Sequence, residues 1–272
     1  MNIKTFDSRP VALPIKKIVK ENETTNTYVF EYFLGSKPGQ FVMMWIPGVD
    51  EKPFSVAFDD GNEFWLTICN VGGSTAELFK MKEGDKVGIR GPFGTAYEFA
   101  DGDHLALVAG GYGAAPMYNV ASEAVKKDCK VEFMVGARNK DLLLYTHKVL
   151  GLGSNVNLHI STDDGSAGFK GYITQVLEDL LKKEKIDKVF TCGPEVMMQA
   201  VGGVANAQGV DCYLSMEKYM KCGIGVCGQC AIDDTGVLAC KDGPVMNYAD
   251  VKDLPEFGKY HRDSVGKKKH FN

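Results

Sequence analysis

Four of the eight cysteines in this 272-residue chain fall within 19 residues: Cys222, Cys227, Cys230 and Cys240, spaced C-x4-C-x2-C-x9-C. The first three match the plant-type [2Fe–2S] ligand spacing. Gly223, Gly225 and Gly228 stand between them, where a loop wrapped around a cluster must turn tightly and aim N–H groups at sulfur. A four-cysteine zinc site usually shows two separated C-x2-C knuckles, and only Cys227–Cys230 forms one, so the spacing favours iron–sulfur over zinc. Unligated thiols or disulfides are the remaining alternative. Cys69, Cys129, Cys192 and Cys212 are scattered singly, so metal ligation in a reducing compartment explains the crowding better than disulfides. The expected location is the cytoplasm.

Four further segments suit phosphate and ring recognition. Gly110-Gly111-Tyr112-Gly113-Ala114-Ala115-Pro116 follows an apolar strand and leads into a helix, the topology in which nucleotides bind at strand carboxyl ends, although it lacks the G-x-G-x-x-G fingerprint. Thr191-Cys192-Gly193-Pro194 places a small thiol and a tight turn at the end of the last strand, with a buried core thiol as the simpler role for Cys192. In the first third, Lys52-Pro53-Phe54-Ser55 offers a cation and a hydroxyl at a strand, and Val71-Gly72-Gly73-Ser74-Thr75 offers a glycine-rich helix start, which presents free N–H groups to a pyrophosphate. Ordinary turns are the plainer reading of each taken singly.

The elements around these segments divide the chain in three. Residues 11 to 91 carry short β-rich runs (Val11 to Val19, Thr27 to Phe33, Phe41 to Ile46, Phe54 to Phe58, Phe64 to Cys69 and Lys86 to Ile89) separated by glycine, proline and acidic residues. That spacing predicts an antiparallel barrel or sandwich. From Asp103 apolar strands alternate with helices: Leu105 to Ala109, a helix Pro116 to Lys127, Lys130 to Val135, Val156 to Ser161, Tyr172 to Lys183, Lys188 to Thr191 and a helix Glu195 to Gln208. This predicts a parallel sheet with helices on its faces. From about Met216 the chain is glycine- and cysteine-rich, with too few apolar residues for its own core, so a metal centre would stabilise it. The expected domains are 1–100, 101–215 and 216–272.

Composition is that of a globular protein, 44% hydrophobic and 24% charged. The net charge of −4 gives no reason to expect nucleic acid, and no run of 18 apolar residues suggests a membrane span. The start, Met1 to Pro10, lacks the apolar core of a signal peptide. Lys267-Lys268-Lys269 reads as a solvated tail. His104, His147, His159, His261 and His270 read as solvated or structural, and no catalytic Ser/His/Asp or Cys/His set is present.

The order of these segments resembles the ferredoxin–NADP reductase superfamily across nearly the whole chain. Lys221-Cys222-Gly223-Ile224-Gly225-Val226-Cys227-Gly228-Gln229-Cys230 and Cys240-Lys241-Asp242-Gly243-Pro244-Val245, together with Thr162-Asp163-Asp164-Gly165-Ser166, are most similar to the electron-transfer subunits of two-component dihydroorotate dehydrogenases. The resemblance implies a multidomain β plus α/β protein: a FAD-binding antiparallel barrel, a nucleotide-binding α/β domain and a small [2Fe–2S] domain. It implies Phe54 and Ser55 beside the flavin, Lys52 near its phosphates and Gly72 to Thr75 receiving its pyrophosphate. Gly110 to Pro116 would hold NAD(H), with Cys192, Gly193 and Pro194 near the nicotinamide. The superfamily usually has arginine where this chain has Lys52, and a glycine at Ser74; lysine keeps the charge and loses the bidentate fork. Asp163 and Asp164 would repel a 2′-phosphate and favour NAD, with Arg138 as the residue able to hold that phosphate instead. A nicotinamide delivers two electrons, a [2Fe–2S] centre takes one, and a flavin mediates. The implied partner is a separate FMN-containing catalytic subunit of pyrimidine biosynthesis, with electrons running from dihydroorotate to NAD. Electron-input subunits of sulfhydrogenase, sulfide dehydrogenase or bifurcating transhydrogenase complexes share the pattern, and a non-catalytic redox sensor is a different-class alternative.

Overall fold

The computed structural model of the chain describes residues 9–271. The first part builds one antiparallel sheet from β1 (Val11–Pro14), β2 (Lys17–Lys20), β3 (Thr25–Glu31), β4 (Phe41–Ile46), β5 (Asp50–Asp59), β6 (Glu63–Cys69) and β7 (Lys86–Phe93), with the short helix α1 (Ser74–Leu78) between β6 and β7. The strand order is β1-β7-β4-β5-β6-β3-β2. The expected strand from Val11 to Val19 breaks into β1 and β2. Ile15 N–H turns to Asp85 O and Lys16 N–H to Val29 O, so the chain leaves β7 and joins β3. Leu13 of β1, Phe30 of β3, Val42 of β4 and Leu66 of β6 meet in one core. Strands from both ends of the sheet therefore share an interior, and the sheet curls into a half-barrel.

The second part alternates as its sequence predicts. It comprises β8 (His104–Gly110), α2 (Ala114–Lys126), β9 (Lys130–Ala137), α3 (Thr146–Leu150), β10 (Val156–Thr162), β11 (Phe169–Lys170), α4 (Ile173–Leu181), β12 (Lys188–Cys192), α5 (Glu195–Ala207) and β13 (Asp211–Ser215). Alternate residues explain the layers: Leu105, Leu107, Val131 and Phe133 pack with α2, while Ala106, Val108 and Met134 pack with α4 and α5 on the opposite face. The α2 helix begins at Ala114, two residues before the expected Pro116, because Gly111–Gly113 form a 3₁₀ turn that runs into it. With β14 (Val245–Asn247) added at its edge, the strand order β11-β10-β9-β8-β12-β13-β14 reverses direction between β8 and β12, and a ligand crevice opens at such a switch point.

The last part holds β14 (Val245–Asn247), α6 (Tyr248–Val251), β15 (Tyr260–Arg262) and β16 (Lys268–His270). β14 runs antiparallel to β13 and completes the second sheet. The cysteine segment lacks a core of its own, as composition predicts, and borrows two. Met220, Cys230, Ala239 and Cys240 pack on Phe41, Met43 and Phe93 of the half-barrel, and Ile232, Val251 and Phe257 pack on Met198 and Leu214. The lysine run differs from a free tail: Lys268 lies 4.1 Å over the Tyr260 ring and donates to its hydroxyl at 2.9 Å, which fixes the β15–β16 hairpin. Among the described residues no helix is long and apolar enough to cross a membrane.

Candidate functional site

The sheet order decides which motifs meet. Ala109 of β8 stands opposite Cys192 of β12, so the Gly110 and Thr191 turns, some eighty residues apart in sequence, share one crevice. The fit is close: a Cβ at Gly110 would meet Met197 Sδ and Pro194 Cδ, and one at Gly113 would collide with the Cys192 carbonyl. Gly193 has φ 152° and a virtual Cβ 2.9 Å from Gly110 N, so the close approach of the two backbones requires glycine.

Above this crevice lies a cavity of about 850 Å³, within the size range of ligand pockets. Pro53, Phe54 and Ser55 of β5 line it, with Thr75 of α1, Tyr112 and Pro116 of the glycine turn, and Cys192 and Pro194 of the second turn. Thus all four predicted segments contribute to one lining, the helix start through Val71 and Thr75. Gly72 and Gly73 sit at φ 98° and 52° with open space where a Cβ would be, a cradle that suits an approaching phosphate. The Thr75 hydroxyl donates to Gly72 O at 2.8 Å and accepts from Val71 N–H at 3.0 Å, which sets the shape of that turn. The Lys52 ammonium pairs with Asp50 and donates at 3.3 Å to the hydroxyl of Tyr219, itself a lining residue of the cavity. Asp163 is exposed on the loop after β10 and lies outside this lining, its N–H bonded to Ala137 O.

The lining holds groups that the motifs did not single out. Glu217, at the carboxyl end of β13, accepts the Tyr112 hydroxyl at 3.1 Å, and burial raises its carboxyl above the usual range. Cys192 is buried as well, its thiol pushed up to about 12 by desolvation and then by the nearby Glu217 charge. It is therefore a neutral thiol, suited to packing against a ring and unsuited to nucleophilic attack. A sequence signal for Glu217 exists: it follows the last parallel strand at the sheet edge where ligands bind.

The cysteines converge beside this cavity. Gly225 N–H points at Cys240 Sγ at 3.2 Å, Val226 N–H at Cys222 Sγ at 3.4 Å, and Cys240 N–H at Cys230 Sγ at 3.4 Å. Burial raises the Cys222 thiol, but the N–H groups of Cys227, Ile224 and Val226 outweigh it and bring it down to about 6. Cys240 goes the other way, to about 12, through burial and the adjacent Cys230. These contacts sort the thiols into two pairs, Cys222 with Cys227 and Cys230 with Cys240. Four thiols with backbone N–H groups aimed at their sulfurs suit an iron–sulfur cluster. Among the described residues, the group of potential metal ligands that lie within 4.8 Å of one another is His104, Glu132 and Glu184. At the His104 trio the Lys130 ammonium, 2.7 Å from Glu184 and 3.3 Å from Glu132, already supplies the cation.

Arg90 holds the cysteine loop to the barrel, with two N–H groups on Glu51 at 2.7 and 2.6 Å and a third on Cys222 O at 3.1 Å. Phe41 and Met220 line the cavity and also pack with Cys230 and Cys240, so one apolar wall separates cavity from cysteines. On the other side Cys227 is exposed and Val226 is 78% exposed.

Comparison with known proteins agrees with this arrangement. Residues 217–252 match the model of the iron–sulfur cluster binding domain of dihydroorotate dehydrogenase B, and 107–202 match an oxidoreductase NAD-binding domain. The chain is 46% identical to a probable dihydroorotate dehydrogenase B (NAD(+)) electron transfer subunit of Methanocaldococcus jannaschii, over 96% of this chain and 98% of that protein. It is 41% identical to the Methanothermobacter thermautotrophicus protein of the same name, over 95% and 97%. Among solved structures, that of an NADH-dependent reduced ferredoxin–NADP oxidoreductase, described for flavin-based electron bifurcation, superposes with a TM-score of 0.79 at 30% identity, over 86% of this chain and 87% of that one. An Amycolatopsis cytochrome P450 reductase, at 20% identity and TM-score 0.65 over 73% and 66%, shares the fold.

Proposed function

The chain belongs to the family of dihydroorotate dehydrogenase B electron transfer subunits, and from that premise we propose that its cavity and cysteine loop carry electrons between NAD(H), FAD and a [2Fe–2S] cluster. It is an oxidoreductase component that works with a separate catalytic subunit. That subunit contains FMN and oxidises dihydroorotate in the cytoplasm, and NAD is the final acceptor. FAD, when bound, takes up electrons singly and gives them up as a pair. The chain's own residues do the positioning. Phe54 and Ser55 border the ring site, Gly72 to Thr75 form the phosphate turn, and the Gly110 and Cys192 turns hold the nicotinamide nucleotide. Cys222, Cys227, Cys230 and Cys240 hold the cluster. The 1–100, 101–215 and 216–272 segments carry the main residues of these three tasks, and β14 of the last segment completes the sheet of the second.

The observation that carries this reading is the shared wall: Phe41 and Met220 line the cavity and pack on the buried cysteine pair. Electrons entering from a partner through the cluster, whose far side is open, have an apolar route to the ring site. Anaerobically purified protein should contain about two irons, two acid-labile sulfides and one FAD per chain. NADH should reduce it, and it should not oxidise dihydroorotate without its partner. One zinc per chain in place of iron would overturn the reading, as would dihydroorotate oxidation by the chain alone. The 30% identity to the bifurcating oxidoreductase chain supports a second reading, electron input to a bifurcating complex. Identification of the chains that co-purify from the native cell separates the two.

A further inference from the structure

The chain beyond residue 252 lies outside the iron–sulfur family match, yet Glu256, His261, Arg262, Asp263, Ser264 and Phe271 line the same cavity as the flavin and nucleotide turns. The segment is fastened at several points. Glu256 is buried against Lys218, with Oε2 2.9 Å from Nζ, and its Oε1 accepts Asp233 N–H at 2.9 Å. Gly258 N–H donates to Glu195 Oε1 at 2.9 Å, and Gln199 donates to Phe257 O. Both partners lie on α5, which starts where the Thr191–Pro194 turn ends. Farther along, the Tyr260 hydroxyl and the Arg262 guanidinium converge on Asp233, each at 2.8 Å. Asp233 sits between Cys230 and Cys240 in the chain, so the hairpin is latched to the cysteine loop.

The wall this segment presents has a definite chemistry. The rings of His261 and Phe271 lie 5.3 Å apart at 40°, and both border the cavity. Arg262 flanks them. Lys218, also in the lining, holds its buried ammonium 2.9 Å from Glu256 Oε2. Aromatic faces beside cations suit a heteroaromatic base joined to phosphate. Of the nucleotide segments, the hydrogen bonds bring this wall closest to the Thr191–Pro194 turn.

We propose that residues 256–271 form the outer wall of the nicotinamide-nucleotide site, with the His261–Phe271 ring pair as a contact surface for the dinucleotide and Asp233 as the latch that ties this wall to the cluster loop. The proposal rests on the assignment of the Gly110 and Cys192 turns to NAD(H). It makes nucleotide binding and the cluster loop share a fastening that neither motif contains.

Hydrogen exchange of the FAD- and cluster-loaded full chain, with and without saturating NAD⁺, tests it. Backbone amides of 259–264 and Phe271 should slow together with those of 110–116 and 191–196. In a His261→Ala/Phe271→Ala variant, NAD⁺ should dissociate about ten-fold more readily, from the loss of two ring contacts, with FAD content and cluster absorption unchanged. Protection of the two turns with none in the hairpin would overturn the wall and leave the nucleotide assignment standing. Protection of neither would overturn the assignment itself, and the wall with it. A variant that binds NAD⁺ normally and loses FAD would also refute the proposal.

Discussion

Replacing Arg90 with methionine should loosen the cysteine loop from the barrel without disturbing the cavity. The Arg90 side chain is 10% exposed and its partner Glu51 24%, so the substitution strands a mostly buried carboxylate. Breaking a buried pair costs about 3–5 kcal/mol; water reaching Glu51 reduces that to about 2–3 kcal/mol. The lost hydrogen bond to Cys222 O adds about 1 kcal/mol. A loop destabilised by about 3 kcal/mol opens on the order of 100-fold more often, so an iron chelator should bleach the visible cluster absorption about 100-fold faster where loop opening limits the rate. The Arg90→Met/Glu51→Met double variant removes the stranded charge and keeps only the missing bond to Cys222. It should bleach within about ten-fold of the parent. FAD content should be the same in all three proteins. Parent-like bleaching of Arg90→Met, or a double variant as labile as the single, would refute the argument that this ion pair clamps the loop.

Three further outcomes follow from the structure. In Gly113→Ala the new Cβ meets the Cys192 backbone, which cannot swing aside; stability should fall by about 1–3 kcal/mol and NAD⁺ affinity with it, as read by denaturation and equilibrium titration. Glu132 is buried; desolvation raises its carboxyl, but His159, Asn157, His104 and Lys130 outweigh this and hold it down at about 2. Because the folded value lies below the ordinary 4.5, the stabilisation is complete above that value and fades as pH falls toward 2. Glu132→Gln should therefore cost about 3 kcal/mol at neutral pH and less than half of that by pH 3, as urea midpoints at the two pH values would show. Asp163→Asn/Asp164→Asn should reduce the preference for NADH over NADPH about ten-fold, the effect of about 1–2 kcal/mol of charge repulsion at high dielectric; an unchanged ratio of kcat/KM would remove these aspartates from nucleotide choice.

The sequence by itself determined what is local. Four thiols within 19 residues read as a shared ligand set, and the glycines between them suit a loop that turns around it. The alternation of apolar strands with helices from Asp103 onward likewise predicts the parallel sheet, in which Leu105 and Ala106 face opposite layers. Tertiary structure alone decided what meets across distance. The placement of β12 beside β8 brings Cys192 against Gly113, Arg90 reaches Cys222 across 132 residues, and Glu217 faces Tyr112 across 105. The C-terminal lysine run reads as a tail in sequence and becomes part of a hairpin at the cavity mouth because Asp233 and Lys218 are there to hold it. Ligand spacing and strand period are properties of the chain's own geometry over a few residues. Strand order, ion pairs and borrowed cores depend on which distant surfaces bury each other, and no local pattern encodes that.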